Sequence, residues 1–341
     1  MARGLAMSAR APDFPVLDLG PYTAGEAGAL ERAAEAFRQA LETLGFFAVV
    51  NHGVPAAAFE AVFAEARRFH DLPLAEKLQF RFAESYAGYL PAAEFSIKTS
   101  TVNANDKPDL NEAYFVEREA PPPEAHLAAD PGRAAGFASP NRWPAALPGF
   151  RETVLDYYAQ AEALARRLLP VYARALGLAP EHFRPAFHWP QAALRLSHYP
   201  PAAREANQFG IAPHTDANFF TLLATHGAPG LHIQAPDGGW LEAPEVPGGF
   251  IVNAGEMMRR WSNDRFLATR HMAVNDSDRH RYAAVFFFAP DLDYEIRCLP
   301  TCSDADNPPR YPPVTYREYR RWFMDTNYRT DLKAPVEEAA P

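Results

Sequence analysis

Two textures divide the chain. Up to about residue 176, apolar positions recur at helical spacing between short apolar runs. After Pro190 they come as brief runs separated by turns. Leu30, Ala33, Phe37, Leu41 and Leu44 fall three or four apart and predict an amphipathic helix. Thr23 and Glu26 fit a capping box at its start, and Gly45 stands at its C-terminal end. Phe59, Val62, Phe63, Ala66 and Phe69 predict a second helix, and Tyr157, Tyr158, Ala161, Leu164, Leu168 and Tyr172 a long one over 154–176. Runs at 14–19 and 46–50 read as strands, with Asn51-His52-Gly53 turning the chain. The polar, proline-rich stretch 83–149 is expected to wrap the surface irregularly and to offer a lid.

Beyond Pro190, strands are predicted at 193–199, 219–225, 231–234, 250–253, 282–289 and 294–297, and a final helix near 316–323. Close-spaced strands with turns such as Asp237-Gly238-Gly239 have the rhythm of a jelly roll. The expected class is β-rich α+β: a distorted jelly-roll core at 190–292, an N-terminal α/β region at 14–120 and supporting helices, in one compact unit over 1–341. The 33 prolines agree with many turns and irregular loops.

Composition narrows the partners. A length of 341 residues suffices for a large core without staples, and 48% hydrophobic with 22% charged residues is ordinary for a globular chain. A net charge of −9 argues against nucleic acid or an anionic membrane as partner. No apolar run approaches the ~20 residues of a membrane span, and residues 1–12 lack the apolar stretch of a secretory signal, so a cytoplasmic protein is expected. Cys298 and Cys302 imply no disulfide framework. Oligomeric state is not legible.

The chemistry concentrates at His214-Thr215-Asp216, with His271 55 residues further on. On a regular strand, residues two apart share a face, so His214 and Asp216 could grip one metal ion side by side. His271 would reach it from a distant strand. Two histidines and one carboxylate on one side of an ion leave its other positions open, the facial arrangement of non-haem Fe(II) oxygenases. An H-x-D tripeptide alone is weak; the buried run that follows strengthens it, because an unpaired carboxylate there would be costly.

Arg281 lies ten residues after His271, at the head of an apolar strand. If it points inward it needs an anion, and a dicarboxylate co-substrate would supply one. Arg195, Ser197 and Tyr199 share a face by the same alternation, and Tyr199 could donate to that carboxylate or be a core tyrosine. His198 falls on the opposite face. His52, His226, His232 and His280 lack partners at ligand spacing and read as structural or exposed. Asn218 and Phe220 would continue the metal face, and Phe287, rather than Phe286 or Phe288, would point inward. These suggest a mixed apolar and polar pocket for a small organic molecule.

With these residues in view, the chain resembles the isopenicillin N synthase-like group of Fe(II)/2-oxoglutarate-dependent dioxygenases over nearly its whole length. Leu44-Gly45-Phe46-Phe47, Asn51-His52-Gly53-Val54 and Phe69-His70-Asp71-Leu72-Pro73 are similar to the group's N-terminal region. His198-Tyr199-Pro200-Pro201, His214-Thr215-Asp216, Pro229-Gly230-Leu231, Val252-Asn253-Ala254-Gly255 and Arg260-Trp261-Ser262-Asn263 follow in family order. The resemblance implies a distorted double-stranded β-helix. It implies Fe(II) on His214, Asp216 and His271, 2-oxoglutarate anchored by Arg281 with Tyr199, and O2 as oxidant. The activity implied is hydroxylation, desaturation or cyclisation of a small molecule, with succinate and CO2 as co-products.

The chain departs from the family pattern in three places. Arg281-Tyr282-Ala283 replaces the usual Arg-x-Ser, Ser197 stands where asparagine is usual, and Met272 where arginine is common. One lost hydrogen bond to a charged group is worth roughly 1.5–3 kcal/mol. A 2-oxoglutarate-independent iron oxidase or cyclase, and a metal-holding binding protein without turnover, therefore stay open as alternatives. Zinc hydrolysis is disfavoured, since the motifs offer no general base.

Overall fold

The computed structural model describes residues 14–81, 87–95, 97–99, 107–119 and 141–328. Its strands are β1 (Val16–Asp18), β2 (Phe46–Val50), β3 (Gly88–Leu90), β4 (Glu112–Glu117), β5 (Gln191–Tyr199), β6 (Ile211–His214), β7 (Phe220–His226), β8 (Leu231–Gln234), β9 (Trp240–Glu242), β10 (Phe250–Ala254), β11 (His271–Ala273) and β12 (Arg281–Ala289), followed by the short pair β13 (Glu295–Ile296) and β14 (Val314–Thr315). The large sheet runs β1-β2-β10-β7-β12-β5-β4-β3, and a smaller one β6-β11-β8-β9. β10, β7, β12 and β5 face the four strands of the smaller sheet as the two halves of a jelly roll, so the expected architecture is met. The N-terminal strands extend the large sheet at both edges.

The alternation of β12 shows how the layers are made. Tyr282, Ala284, Phe286 and Phe288 turn outward, and Phe286 meets Tyr158 edge-on while Phe288 stacks on Phe187. Arg281, Ala283, Val285 and Phe287 turn inward and line the cavity between the sheets. The outer layer is built by α2 (Ala29–Thr43), α3 (Ala56–His70) and α5 (Phe150–Ala175), after the short α1 (Gly20–Thr23) and α4 (Leu74–Lys77). Phe37 and Leu41 of α2 are fully buried, each contributing about 1.5–3 kcal/mol. α6 (Glu256–Trp261) and α7 (Tyr316–Tyr328) complete the fold.

Gly45 ends α2 at φ 73°, where a Cβ would fall 2.4 Å from Thr269 Oγ1 and 2.5 Å from the Leu267 carbonyl. That stop fixes the entry into β2. The Thr23–Glu26 capping box is not formed: α2 starts at Ala29, behind Gly28 at φ 69°. The tight turn after α1 consumes Thr23, whose hydroxyl bonds the Gly20 carbonyl.

The stretch 83–149 also differs from expectation. It contributes β3 and β4 to the large sheet, and all six residues of β4 are buried. The apolar core of β4, Ala113-Tyr114-Phe115-Val116, lies between two glutamates, which disguised it as surface. Much of the remainder lies outside the described residues. Phe115 and Glu117 of β4 line the chamber beside His214 and Asp216, together with the C-terminal α7.

Candidate active site

β6 ends at His214, and β11 lies beside it in antiparallel register with His271 opposite His214. Sequence distance has become cross-strand adjacency. Asp216 is not on that strand. The chain has left β6, so the period-two argument that joined His214 to Asp216 fails, although the two side chains still converge. The same break resets the phase of β7. Phe220 stacks on Tyr172 in the outer core, whereas Asn218 does line the site.

The donor atoms of His214, Asp216 and His271 lie within 4.8 Å of one another. Asp216 Oδ1 stands 3.8 Å from His214 Nε2 and 3.7 Å from His271 Nε2. Those separations are too long for hydrogen bonds and shorter than two metal–ligand bonds of about 2.1 Å. Each Nδ1 faces a backbone carbonyl: His214 that of Ala212 at 2.8 Å, His271 that of Thr269 at 3.2 Å. That assigns the proton to Nδ1 and leaves the Nε2 lone pairs aimed at the shared space. Burial, with His271 alongside, pushes the His214 pKa down and keeps the ring neutral. Thr221 Oγ1 donates to Asp216 Oδ2 at 2.5 Å and Asn253 Nδ2 at 2.8 Å, orienting the carboxylate. Neither residue was singled out from the sequence as a site residue, although Asn253 sits in one of the motifs noted there.

A cavity between the sheets leads from these three residues to Arg281 and Tyr199. Arg281 is 2% exposed, and its Nε and Nη1 have no hydrogen-bond partner. Its guanidinium lies over the Tyr199 ring, 4.6 Å from the centroid. Register pairs Arg281 with Tyr199 and Ala283 with Ser197, and Ser197 Oγ is likewise buried without a partner. The unsatisfied Nε and Nη1 of Arg281 on this cavity form a cradle for an acceptor-rich ligand end. Gly210 makes room for the Tyr199 ring, since a Cβ there would sit 2.8 Å from it.

A second chamber adjoins the triad. His214, Asp216 and Asn218 form one side, and Phe115, Arg195 and Phe287 another; α7 supplies Tyr316, Arg320, Phe323 and Met324. A wider cleft of about 750 Å³ shares His214 and Phe323 with it.

The sequence reading missed another cluster. His70, Glu112 and His198 also bring their donor atoms within 4.8 Å, on the opposite, helix-covered side of the large sheet. Glu112 Oε1 meets His198 Nδ1 at 2.7 Å and His70 Nδ1 at 3.3 Å, and Lys77 Nζ donates to Oε2 at 2.8 Å. Tyr89 hydroxyl donates to the same Oε2. His198 Nε2 contacts His280 Nδ1 at 2.7 Å, so His280 does have a partner. Cys298 and Cys302 are free.

Comparison with known proteins agrees with this architecture. Residues 14–146 match the family model described as the N-terminal region of non-haem dioxygenases in morphine synthesis, and residues 190–290 that of the 2OG-Fe(II) oxygenase superfamily. The chain is 31% identical to the 2-oxoglutarate-Fe(II) type oxidoreductase hxnY of Emericella nidulans, over 92% of this chain and 90% of that protein. Among solved structures it is similar to a full-length Neurospora crassa protein in complex with alpha-KG (2-oxoglutarate) and thymine, with TM-score 0.78, 25% identity and coverage of 94% and 98%. It is also similar to JOX2 in complex with 2OG, Fe and JA, with TM-score 0.74, 27% identity and coverage of 94% and 88%. The chain belongs to the 2OG-Fe(II) oxygenase superfamily, in its isopenicillin N synthase-like group. It is a non-haem dioxygenase that uses Fe(II), 2-oxoglutarate and O2. Among the described residues, no helix is long and apolar enough to cross a membrane.

Proposed function

We propose that His214, Asp216 and His271 hold the iron, that Arg281 anchors the distal carboxylate of 2-oxoglutarate with Tyr199 and Ser197 beside it, and that a small organic molecule is oxidised in the chamber under α7. The observation that carries this reading is the combination around one cavity. Three converging donors that do not bond one another stand at one end. A buried arginine with two unpartnered nitrogens stands at the other.

The donor set suits the metal. Imidazole and carboxylate are iron ligands, so His214, Asp216 and His271 would hold Fe(II) with the keto acid beside it in the cavity. When bound, iron and 2-oxoglutarate supply oxygen activation coupled to decarboxylation, with succinate and CO2 as products. The chain's own part is positional. Thr221 and Asn253 keep Asp216 Oδ1 turned to the ion. Arg281 sets how far the co-substrate reaches along the cavity. Phe287, Phe323 and Met324 shield the chamber from water and hold the substrate within reach of the open side. Ser197, directly across from Ala283, supports the carboxylate where the family's serine is missing.

The neighbours' ligands, thymine and JA, favour a small cyclic substrate. Hydroxylation is the reaction proposed, with desaturation or ring closure open to the same scaffold. The 2-oxoglutarate-independent alternative loses its motive, since Ser197 can replace the missing hydroxyl. We also propose that residues 14–120 and 190–292 fold as parts of one unit, since β2 pairs with β10 and β4 with β5.

Anaerobic titration of the Fe(II)-loaded protein with 2-oxoglutarate, followed by visible absorption, tests the site. A saturable charge-transfer band that disappears in Asp216→Ala is expected. Iron retained by that variant, or iron without a band in the wild type, would overturn the assignment.

A further inference from the structure

We propose that Arg195 is a recognition point for a substrate carboxylate, and that the substrate is a small aromatic monocarboxylate lying in the chamber beside the metal cluster. This rests on the reading of His214, Asp216 and His271 as the iron site and extends it to the molecule that is oxidised.

The charges around the chamber do not balance without an anion. Arg320 of α7 donates to Glu117 Oε1 at 2.7 Å, and Gln191 donates to its other oxygen at 2.7 Å, so that pair is matched internally. Asp216 is turned to the metal cluster. Arg195 is left over. It is 5% exposed, and its Nε is buried without a hydrogen-bond partner. Among the described residues no carboxylate lies within ion-pair distance of it. Its partners are neutral: the Phe115 ring, 5.3 Å from the guanidinium, and the Asn111 amide, whose oxygen accepts from Nη2 at 2.5 Å when the amide is oriented for it. The acid whose charge it feels, Asp109, is raised by burial to about 7, which makes it an incomplete counter-charge near neutral pH. A buried guanidinium without a carboxylate partner is costly, and a bound anion removes the cost.

Position separates this arginine from the co-substrate anchor. In the β5–β12 register Arg195 faces Val285 and Tyr199 faces Arg281. The two anchors are four residues apart along the sheet, about 13 Å at the rise of an antiparallel strand. Their strand positions are thus further apart than the length of a five-carbon dicarboxylate. Both line the cavity between the sheets, but only Arg195 also lines the chamber under α7. Phe115 is the cross-strand neighbour of Arg195 on the same face. With Phe287 and Phe323 it offers aromatic walls for a flat ring whose carboxylate meets the guanidinium.

The test is calorimetric binding to the Mn(II)- and 2-oxoglutarate-loaded protein, without turnover. The probes are benzoate, phenylacetate and indole-3-carboxylate, each against its primary amide. At least one acid is expected to bind ten times more tightly than its amide. Arg195→Gln should erase that preference, and Arg195→Lys should keep part of it. 2-Oxoglutarate titrations should stay close to wild type in both variants, and the ligand-free Arg195→Gln protein should melt no lower than wild type. If no acid in the panel outbinds its amide, or if Arg195→Gln keeps the preference, the proposal falls. If Arg195→Gln loses 2-oxoglutarate instead, Arg195 belongs to the co-substrate and the proposal falls while the iron site stands. If the wild type takes up no 2-oxoglutarate, the site reading fails, and the acid-against-amide comparison on the Mn(II) protein still decides Arg195. Should Arg195→Gln not fold, the wild-type comparison and Arg195→Lys decide.

Discussion

Among the described residues two clusters of two histidines and one carboxylate bring their donor atoms within 4.8 Å of one another. On the inner face of the large sheet, Asp216 Oδ1 stands 3.7–3.8 Å from two Nε2 atoms, with neutral donors only on Oδ2. On the outer face, Glu112 accepts directly from His198 at 2.7 Å, from the Lys77 ammonium at 2.8 Å and from the Tyr89 hydroxyl. The first carboxylate keeps lone pairs for an ion; the second has spent them. A divalent ion at Glu112 would also sit beside the Lys77 charge. Proximity of ligand types therefore does not make a metal site. Unspent lone pairs and the absence of a resident cation do.

The largest expected contrast comes from the same conservative change in each cluster. Asp216→Asn should abolish iron binding and turnover. It keeps an acceptor for Thr221 and Asn253, so metal-free stability should move by less than about 1 kcal/mol. Glu112→Gln should leave iron binding intact and cost about 3–5 kcal/mol of stability, because Lys77 loses its buried counter-charge. Chemical denaturation of the metal-free proteins and iron titration of each variant measure both halves. Equal stability losses would erase the distinction between the clusters.

Acid sharpens it further. Burial works against ionised Glu112, yet His198, His70 and Lys77 hold its pKa well below the carboxylate range. A group lowered in the folded state contributes stability that is complete above its unfolded pKa, about 4.3. That contribution is lost as pH falls through the folded value. Wild type should therefore lose stability below about pH 4, and Glu112→Gln should lose less over the same interval. Parallel denaturation curves from pH 7 down to pH 3 would remove Glu112 as the cause.

The two clusters were unequally legible. The inner one announced itself because His214 and Asp216 are near neighbours in sequence and His271 heads a short apolar segment. Strand alternation does not join them, since β6 stops at His214 and a loop delivers Asp216. Side-chain convergence survived a mistaken backbone. The outer cluster collects residues 70, 77, 89, 112, 198 and 280, which only strand pairing and the docking of α3 bring together. His198 lies, as its alternation with Ser197 and Tyr199 predicts, on the face away from His214, Asp216 and His271. Its partner Glu112 was hidden, because β4 sits in a stretch whose prolines and charges read as surface. The alternation of β12 was legible in full, since a buried sheet leaves no freedom of phase.

Removing the co-substrate anchor ranks next. Arg281→Ala should weaken 2-oxoglutarate by about 2–5 kcal/mol while iron affinity holds, read as a raised half-saturation in the charge-transfer titration. Asn253→Leu should act on the other ligand. It removes one of the two donors that orient Asp216 and should lower iron affinity by about 10–100-fold, with 2-oxoglutarate affinity per bound iron little changed. If Arg281→Ala lost iron and Asn253→Leu lost 2-oxoglutarate, the two ends of the cavity would have been assigned the wrong way round.

The smallest effect bears on how the anchor tolerates Ala283. Ser197 and Ala283 are direct cross-strand partners on the inner face, and the Ser197 hydroxyl is buried with no bond of its own. An orphaned hydroxyl costs stability unless a ligand uses it. Ser197→Ala should therefore weaken 2-oxoglutarate by about 1.5 kcal/mol, the low end for a hydrogen bond to a charged group, while slightly stabilising the empty protein. Ala283→Ser in that background should restore the affinity, because it returns a hydroxyl to the same face one strand over. Additive effects of the two substitutions would mean that each position acts alone. Rescue would mean that the carboxylate needs one hydroxyl beside Arg281 and does not distinguish which strand carries it.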